Sequence, residues 1–503
     1  MTARRPLQDA LTGATSGGHA GEDALAQLGE RLLDAQFELR ERRDRAVVLI
    51  VTGIPAAGRS EVVHALLEWL DPKLLTVYGF RACTDDERER PPLWRYWRVL
   101  PPKGRIAILH GGWYQDLLQQ SLPSAARSRG RWTRAVERSA ERIRRLERML
   151  VADGVAVAKV HLHVSAATQR KRLRKLAAAK ATRWRVTEED RASARRHAEV
   201  ERALERCLAA TDHPLSPWHV VDGTDARLRT LDVGQRLLEA MSGPVSSAPD
   251  AGAAHAARPK PARAAPMRSQ PPRPRPDDDT YHAELERLQG RLARLSRRRR
   301  FTRHAVVAVF EGMDAAGKGG AIRRVTAALD ARQYRVVPVS APTPEELARP
   351  YLWRFWVHLP ARGNWTIFDR SWYGRVLVER VRGLTPERDW QRAYEEVVEF
   401  ERQLVEHGVV VAKFWLAVGR AEQRTRFEAR DRNPLKRHKV DPEDWVNREH
   451  WDEYQRAARE MLARTDTRDA PWCVVPADDK RSARLAVLRA LGDRIEAVLE
   501  QGR

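Results

Sequence analysis

At 503 residues the chain is too long for one ordinary hydrophobic core, and two domains are its natural division. Its 91 lysines and arginines against 68 acidic residues leave a formal charge of +23, a balance that favours polyanionic partners: nucleic acid, an anionic membrane surface or a polymeric phosphate. Three widely separated cysteines, Cys83, Cys207 and Cys473, exclude a disulfide framework and fit a reducing compartment. The longest aliphatic run, Ala46 to Val51, falls far short of the ~20 residues that span a bilayer.

Residues 1–21 are small, polar and Gly-rich and read as a disordered tail without the apolar stretch of a secretion signal. The expectation is a cytoplasmic protein. From Glu22 to Arg45 the spacing of Leu25, Leu28, Leu32, Leu33, Phe37 and Leu39 predicts an amphipathic helix. A strand, Val47 to Val51, follows. It runs into a turn with Gly53 and Gly58 and then into a helix start. The same arrangement returns at Val306–Phe310, Gly312, Gly317 and Ile322–Val325.

The recurrence extends along the chain. Gly53 and Gly58 match Gly312 and Gly317 at an offset of 259, as do Leu93–Trp97 with Leu352–Trp356 and Trp113–Tyr114 with Trp372–Tyr373. Farther on, Gly154–Lys159 matches Gly408–Lys413, and Pro217–Trp218 matches Pro471–Trp472, at an offset of 254. One net five-residue indel reconciles the offsets, so the chain is a tandem repeat of a single domain. The first repeat is assigned to 22–241, a disordered Pro/Ala/Arg-rich linker to 242–278 and the second repeat to 279–503.

In the second repeat, strands are expected near 305–310, 335–339, 365–368, 409–416 and 473–475. Helices are expected near 281–300, 319–330, 345–357, 386–406, 420–432 and 442–464. Alternating strands and helices imply an α/β fold, a parallel sheet with helices on both faces and ligands beyond the carboxyl ends of the strands. Trp353, Phe355 and Trp356 share one helix face, where they either pack in the core or stack on a base.

Gly312-x-x-x-x-Gly317-Lys318 between a strand and a helix is the pattern of a phosphate-binding loop. The glycines allow backbone N–H groups to face an anion, the helix start adds its positive dipole end, and Lys318 supplies a point charge. Gly319 stands where such loops carry the Ser or Thr that holds magnesium; Asp314, inside the loop, is the substitute hard oxygen ligand. Asp369 and Arg370, after the strand at 365–368, would add a second carboxylate and a planar cation. Arg424, Arg426, Arg430, Arg432, Lys436, Arg437 and Lys439 flank Asn433-Pro434 and read as a basic helical lid.

These motifs resemble the polyphosphate kinase 2 family: Gly312–Gly319, Asp369–Tyr373 and the Arg/Pro/Lys lid carry the likeness. The two-copy chain resembles the family's fused subgroup, which phosphorylates nucleoside monophosphates. The resemblance implies tandem thymidylate-kinase-like P-loop domains with helical lids. It implies transfer of the terminal phosphoryl of polyphosphate to a nucleoside monophosphate, AMP giving ADP, with GMP giving GDP as the alternative. It implies Mg2+, or Mn2+, held by Asp314 and Asp369, phosphate contacts from Lys318 and Arg370, and further contacts from Gly312, Gly317, Gly319, Arg430, Arg432 and Lys436. No membrane and no specific nucleic acid are expected as partners.

The first repeat departs from this pattern where it matters. Pro55 replaces Asp314, Arg59 replaces Lys318, His110 replaces Asp369, and Gly111 and Gly112 replace Arg370 and Ser371. Leu176 and Ala178 replace Arg430 and Arg432. It reads as a degenerate copy, with chemistry in the second. Two other readings stay open at this stage: an ATP-dependent nucleotide or small-molecule kinase, and a non-catalytic protein that grips RNA or polyphosphate. Base preference, reaction direction and oligomeric state also stay open.

Overall fold

The computed structural model describes residues 22–121, 129–243, 268–269, 275–432 and 442–501. The expected tail, most of the linker and the turn of the lid, with Lys436, Arg437 and Lys439, lie outside the described residues. The chain divides into two compact units, one around each of two sheets.

The first repeat opens with helix α1 (Glu22–Arg42), then β1 (Ala46–Gly53), α2 (Arg59–Trp69), β2 (Leu75–Gly79) and β3 (Ile106–His110). After a long helix, α3 (Arg129–Ala152), come β4 (Val155–His163), α4 (Ala166–Ala178), α5 (His197–Thr211), β5 (Trp218–Asp222) and α6 (Ala226–Ser242). All strand pairs are parallel, in the order β2-β3-β1-β4-β5. Val47 to Val51 are fully buried, as a central strand covered on both faces requires.

The second repeat begins with a two-residue strand, β6 (Arg268–Ser269), inside the segment expected to be disordered; it pairs with the last strand of the sheet. Helix α7 (Asp278–Ser296) starts earlier than its hydrophobic pattern suggests because Asp277 caps it, accepting from Thr280 N–H. There follow β7 (Ala305–Gly312), α8 (Lys318–Thr326), β8 (Tyr334–Pro338), β9 (Trp365–Asp369), α9 (Glu387–Glu406), β10 (Val409–Ala417), α10 (Arg420–Asp431), α11 (Pro442–Glu449), α12 (Trp451–Thr465), β11 (Trp472–Pro476) and α13 (Lys480–Gln501). The order β6-β11-β10-β7-β9-β8 reproduces the first sheet with β6 added at one edge. The α/β reading holds, and the strand positions agree with those read from the sequence.

Two helices do not. The stretch at 345–357 holds only short turns, Pro344–Leu347 and Trp353–Trp356, with Pro350 between them; a proline ring is excluded from a helix interior. The stretch at 442–464 breaks at His450 into α11 and α12. Phe355 and Trp356 are buried against Phe368, Trp372 and Phe400, so they belong to the core and offer no face to a base; Trp353 is half-buried.

One polar network inside the core appears in both repeats. In the second, Lys413 Nζ lies 2.7 Å from Glu401 Oε2 with both side chains buried. Glu401 Oε1 also accepts from Tyr373 OH at 2.6 Å and Trp372 Nε1 at 3.1 Å, and Lys413 donates to Thr465 O at 2.8 Å. In the first repeat Lys159, Glu147, Trp113, Tyr114 and Thr211 make the same contacts. Removing one member strands the other charge in the core. Glu401→Gln is therefore expected to destabilise the second repeat by about 3–5 kcal/mol, and Glu401→Gln with Lys413→Met to recover most of that loss, read from urea unfolding.

Candidate functional site

β7 is the central strand at which the chain changes direction across the sheet, and the crevice beyond it is where such folds bind ligands. Gly312 has φ +143° and an added Cβ would lie 2.5 Å from Leu416 O, so only glycine lets β7 pass its neighbour and turn. Gly317, at φ +108°, forms the N-cap of α8. The N–H groups of Gly317, Lys318 and Gly319 make no hydrogen bond among the described residues, so the loop presents donors and a helix N-terminus toward one point. Arg426 of α10 fixes the loop from behind: its guanidinium donates to Ala315 O, Ala316 O, Ala477 O and Asp478 O. Arg172 holds Ala56 O and Gly223 O in the first repeat in the same way.

The charged side chains then converge. Phe310 pairs in parallel with Asp369, which places the end of β9 beside the loop. Arg370 takes a left-handed conformation, φ +64°, and its guanidinium donates to Asp314 Oδ1. Asn447 of α11 donates to the other oxygen, Oδ2, at 3.0 Å. Burial opposes ionisation of Asp314, but Lys318 and Arg370 outweigh it and hold the carboxyl below its usual range. Lys318 Nζ donates to Gly312 O at 2.7 Å and Met313 O at 3.2 Å, and burial together with Arg370 pulls its pKa down. Beneath them Glu311 is buried, accepts from Ser371 Oγ at 2.8 Å, and has its carboxyl pushed up by burial.

A cleft of about 370 Å³ opens above this group, lined by the 314–320 loop, Arg323, Pro338–Ser340, Asp369, Arg370 and Arg430. Of the residues named from sequence, Asp314, Gly317, Lys318, Gly319, Asp369, Arg370 and Arg430 line it. Gly312 shapes the turn below. Arg432 does not reach the cleft: it is exposed at the end of α10 and pairs with Glu428 at 3.7 Å. Lys436 lies outside the described residues.

Asp369 makes no side-chain hydrogen bond or ion pair among the described residues, although it faces a cleft lined by cations. Two carboxylates on one anion-binding cleft fit a hard divalent cation such as magnesium, which commonly takes one or two carboxylates and completes its shell with water and phosphate oxygens. Asp314 would share lone pairs already engaged by Arg370 and Asn447.

Sequence reading missed Glu311, Arg323 and Asn447. The repeat itself carried the signal. Gln423 and Arg426, which brace the loop, have Gln169 and Arg172 as counterparts, whereas Glu311, Arg323, Ser371 and Asn447 face Thr52, His64, Gly112 and Ser193. Of these, Arg323 lines the cleft, while Glu311, Ser371 and Asn447 support residues that do.

In the first repeat the loop backbone survives without the chemistry. Gly53, Ala56 and Gly58 keep positive φ, as do Gly111 and Gly112. Arg229 of α6 packs its guanidinium against Gly58, donating to Gly223 O at 3.0 Å and pairing with Glu61. Burial and the nearby Arg59 push His110 down to about 4.

The polyphosphate kinase 2 family model matches residues 16–248 and again 275–502. The chain belongs to the polyphosphate kinase 2 family. A Pseudomonas aeruginosa protein named polyphosphate:AMP phosphotransferase is 44% identical over 484 residues, covering 95% of this chain and 96% of its own. A protein of the same name from Pseudomonas syringae pv. tomato is 44% identical over 491 residues, covering 95% and 97%. The crystal structure of a polyphosphate kinase 2 from Pseudomonas aeruginosa superposes with a TM-score of 0.82 at 42% identity, covering 98% of this chain and all of that one.

Within this polyphosphate kinase 2 fold the left-handed residue is Arg370 in one repeat and Gly111 in the other. Both Arg370→Gly and Arg370→Ala lose the guanidinium, but only glycine is at ease at φ +64°. Arg370→Gly is expected to be more stable than Arg370→Ala by about 1 kcal/mol, measured by denaturant midpoint.

Proposed function

We propose that this chain transfers the terminal phosphoryl group of inorganic polyphosphate to a nucleoside monophosphate, converting AMP to ADP, in the cleft of the second repeat. The observation that carries the proposal is the Asp314–Asp369 pair set against Lys318 and Arg370 at one phosphate-loop cleft, an arrangement absent from the first repeat. The names of the two Pseudomonas relatives support the substrate pair.

Phosphoryl transfer needs little covalent assistance, so positioning and charge neutralisation carry the rate. The loop N–H groups and the start of α8 seat one set of phosphates. Lys318, at the floor of the cleft, and Arg370 would meet the equatorial oxygens where negative charge accumulates. Arg323 and Arg430 extend the cationic wall along the direction a phosphate chain would take. Asp314 and Asp369 would hold magnesium or manganese, whose charge offsets the repulsion between two polyanionic substrates. Asn447 and Arg370 fix the rotamer of Asp314 from both of its oxygens. In the first repeat Arg229 and Glu61 sit on the loop and no carboxylate occupies position 55 or 110, so that repeat lacks the chemistry of the second and is retained for structure or for holding polymer.

An ATP-free assay with polyphosphate, magnesium and AMP, read by nucleotide chromatography, is expected to yield ADP. Asp314→Asn, Asp369→Asn and Lys318→Ala should each lower turnover at least 100-fold, the loss of about 2.7–4 kcal/mol typical of one transition-state charge contact. His110→Asn in the first repeat should change it less than about threefold. Retention of a tenth or more of turnover in the aspartate variants would reject this site. ADP formation that required ATP in place of polyphosphate would reject the donor.

Arg323, exposed on α8 and lining the cleft, is expected to act on polymer binding. Arg323→Ala should raise the KM for polyphosphate about three- to tenfold, leave the KM for AMP near its parent value, and lose part of the salt dependence of polymer binding.

A further inference from the structure

The first repeat gathers histidines at the carboxyl end of its sheet. His161 and His163 lie two residues apart on β4 and so share a face. His163 is the last residue of that strand and is fully buried; among the described residues its Nδ1 has no hydrogen-bond partner and its Nε2 faces only Glu201. His197 and Glu201, one turn apart on α5 and both half-buried, approach this strand end. One donor atom from each of His163, His197 and Glu201 falls within 4.8 Å of the other two.

The spacing is informative. His163 Nε2 stands 3.3 Å from Glu201 Oε1. Two donors bound tetrahedrally at about 2.0–2.1 Å from one zinc ion are separated by about 3.3–3.4 Å. The ring of His197 is already oriented: Gln169 Oε1 lies 2.9 Å from its Nδ1, and Gln169 Nε2 donates to Pro55 O of the loop at 3.2 Å. A ligating imidazole characteristically has such an outer partner. Glu201 keeps a fifth of its side-chain surface exposed, which leaves an entry path.

The donor set is particular to this repeat. The corresponding residues of the second repeat are Ala417, Trp451 and Gln455, which offer no comparable ligands. Among the described residues His163 Nδ1 has no hydrogen-bond partner and Nε2 meets only the Glu201 carboxylate, and a shared cation accounts for the convergence of these donors.

We propose that His163, His197 and Glu201 form a zinc site of His2Glu type in the first repeat, tying β4 to α5 and leaving one coordination position open. The proposal stands independently of where phosphoryl transfer occurs. The test uses untagged full-length protein stripped with chelator and titrated with Zn2+ against a chromophoric zinc chelator, with thermal unfolding followed in parallel. The parent should bind one zinc per chain tightly and unfold at a higher temperature with zinc than without it. His197→Gln and Glu201→Gln, both at half-buried positions of α5, should each weaken that binding at least 100-fold and abolish the thermal shift, and Gln169→Leu should weaken it about 10–100-fold. His163 is left unchanged, since its burial makes a folding defect an alternative cause. A parent that takes up no zinc, or a His197→Gln or Glu201→Gln protein that binds as the parent does, would overturn the proposal.

Discussion

A buried ammonium–carboxylate pair underlies the architecture of each repeat. Lys413 and Glu401 sit where water cannot screen them, so their attraction is strong and their desolvation expensive; the pair is tolerable because nearly every remaining lone pair and proton is used. Glu401 spends one oxygen on Trp372 and Tyr373, the two residues that follow Asp369, Arg370 and Ser371 in the chain. The turn that carries the cleft's charges is thus anchored to the core within two residues of those charges. A loop so short and so tethered holds its side chains to a narrow range of positions, as a reaction governed by positioning demands.

The charges of the cleft are unequally partnered. Asp314 is pinned by a guanidinium and an amide, whereas Asp369 is left without either. Lys318 is kept close to the loop by two carbonyls, which satisfy an ammonium that would otherwise be buried without acceptors. Glu311 lies below with a raised pKa and contributes through Ser371, bracing the turn. The arrangement is cationic at its walls and acidic at its centre.

Much of this was legible in the chain. The strands announced themselves as apolar runs such as Val306–Phe310, and the loop as a glycine-punctuated break followed by a helix. Duplication could be read from matched tryptophans. Arg432 and Arg426 show where reading stops. Both are arginines of one basic segment, yet one points into solvent beside Glu428 while the other is buried against four carbonyls. Charge along a sequence gives no direction in space, and only the packing of α10 separates these roles. The role of Asn447 escaped for a related reason. An asparagine 133 residues from Asp314 becomes its partner only because α11 breaks from α12 and folds back over the loop. The missed helix breaks at Pro350 and His450 follow from the same limit, since hydrophobic spacing continues across interruptions that the backbone does not.

The left-handed turn after β3 and β9 has a consequence for how such a duplicated chain can age. In one repeat the turn is held by an arginine against its own backbone preference; in the other, by glycines that adopt it freely. The path of the main chain is therefore underwritten by the sheet and the buried network, and the functional side chains are appended to it at a local conformational cost. Once one repeat carries the cleft, its twin is released from that cost. It can relax toward glycine, fill its vacated loop with an arginine of its own, and accumulate a different set of residues at the same strand ends without disturbing the scaffold. Redundancy here frees the surface chemistry of one domain while leaving its architecture under undiminished constraint.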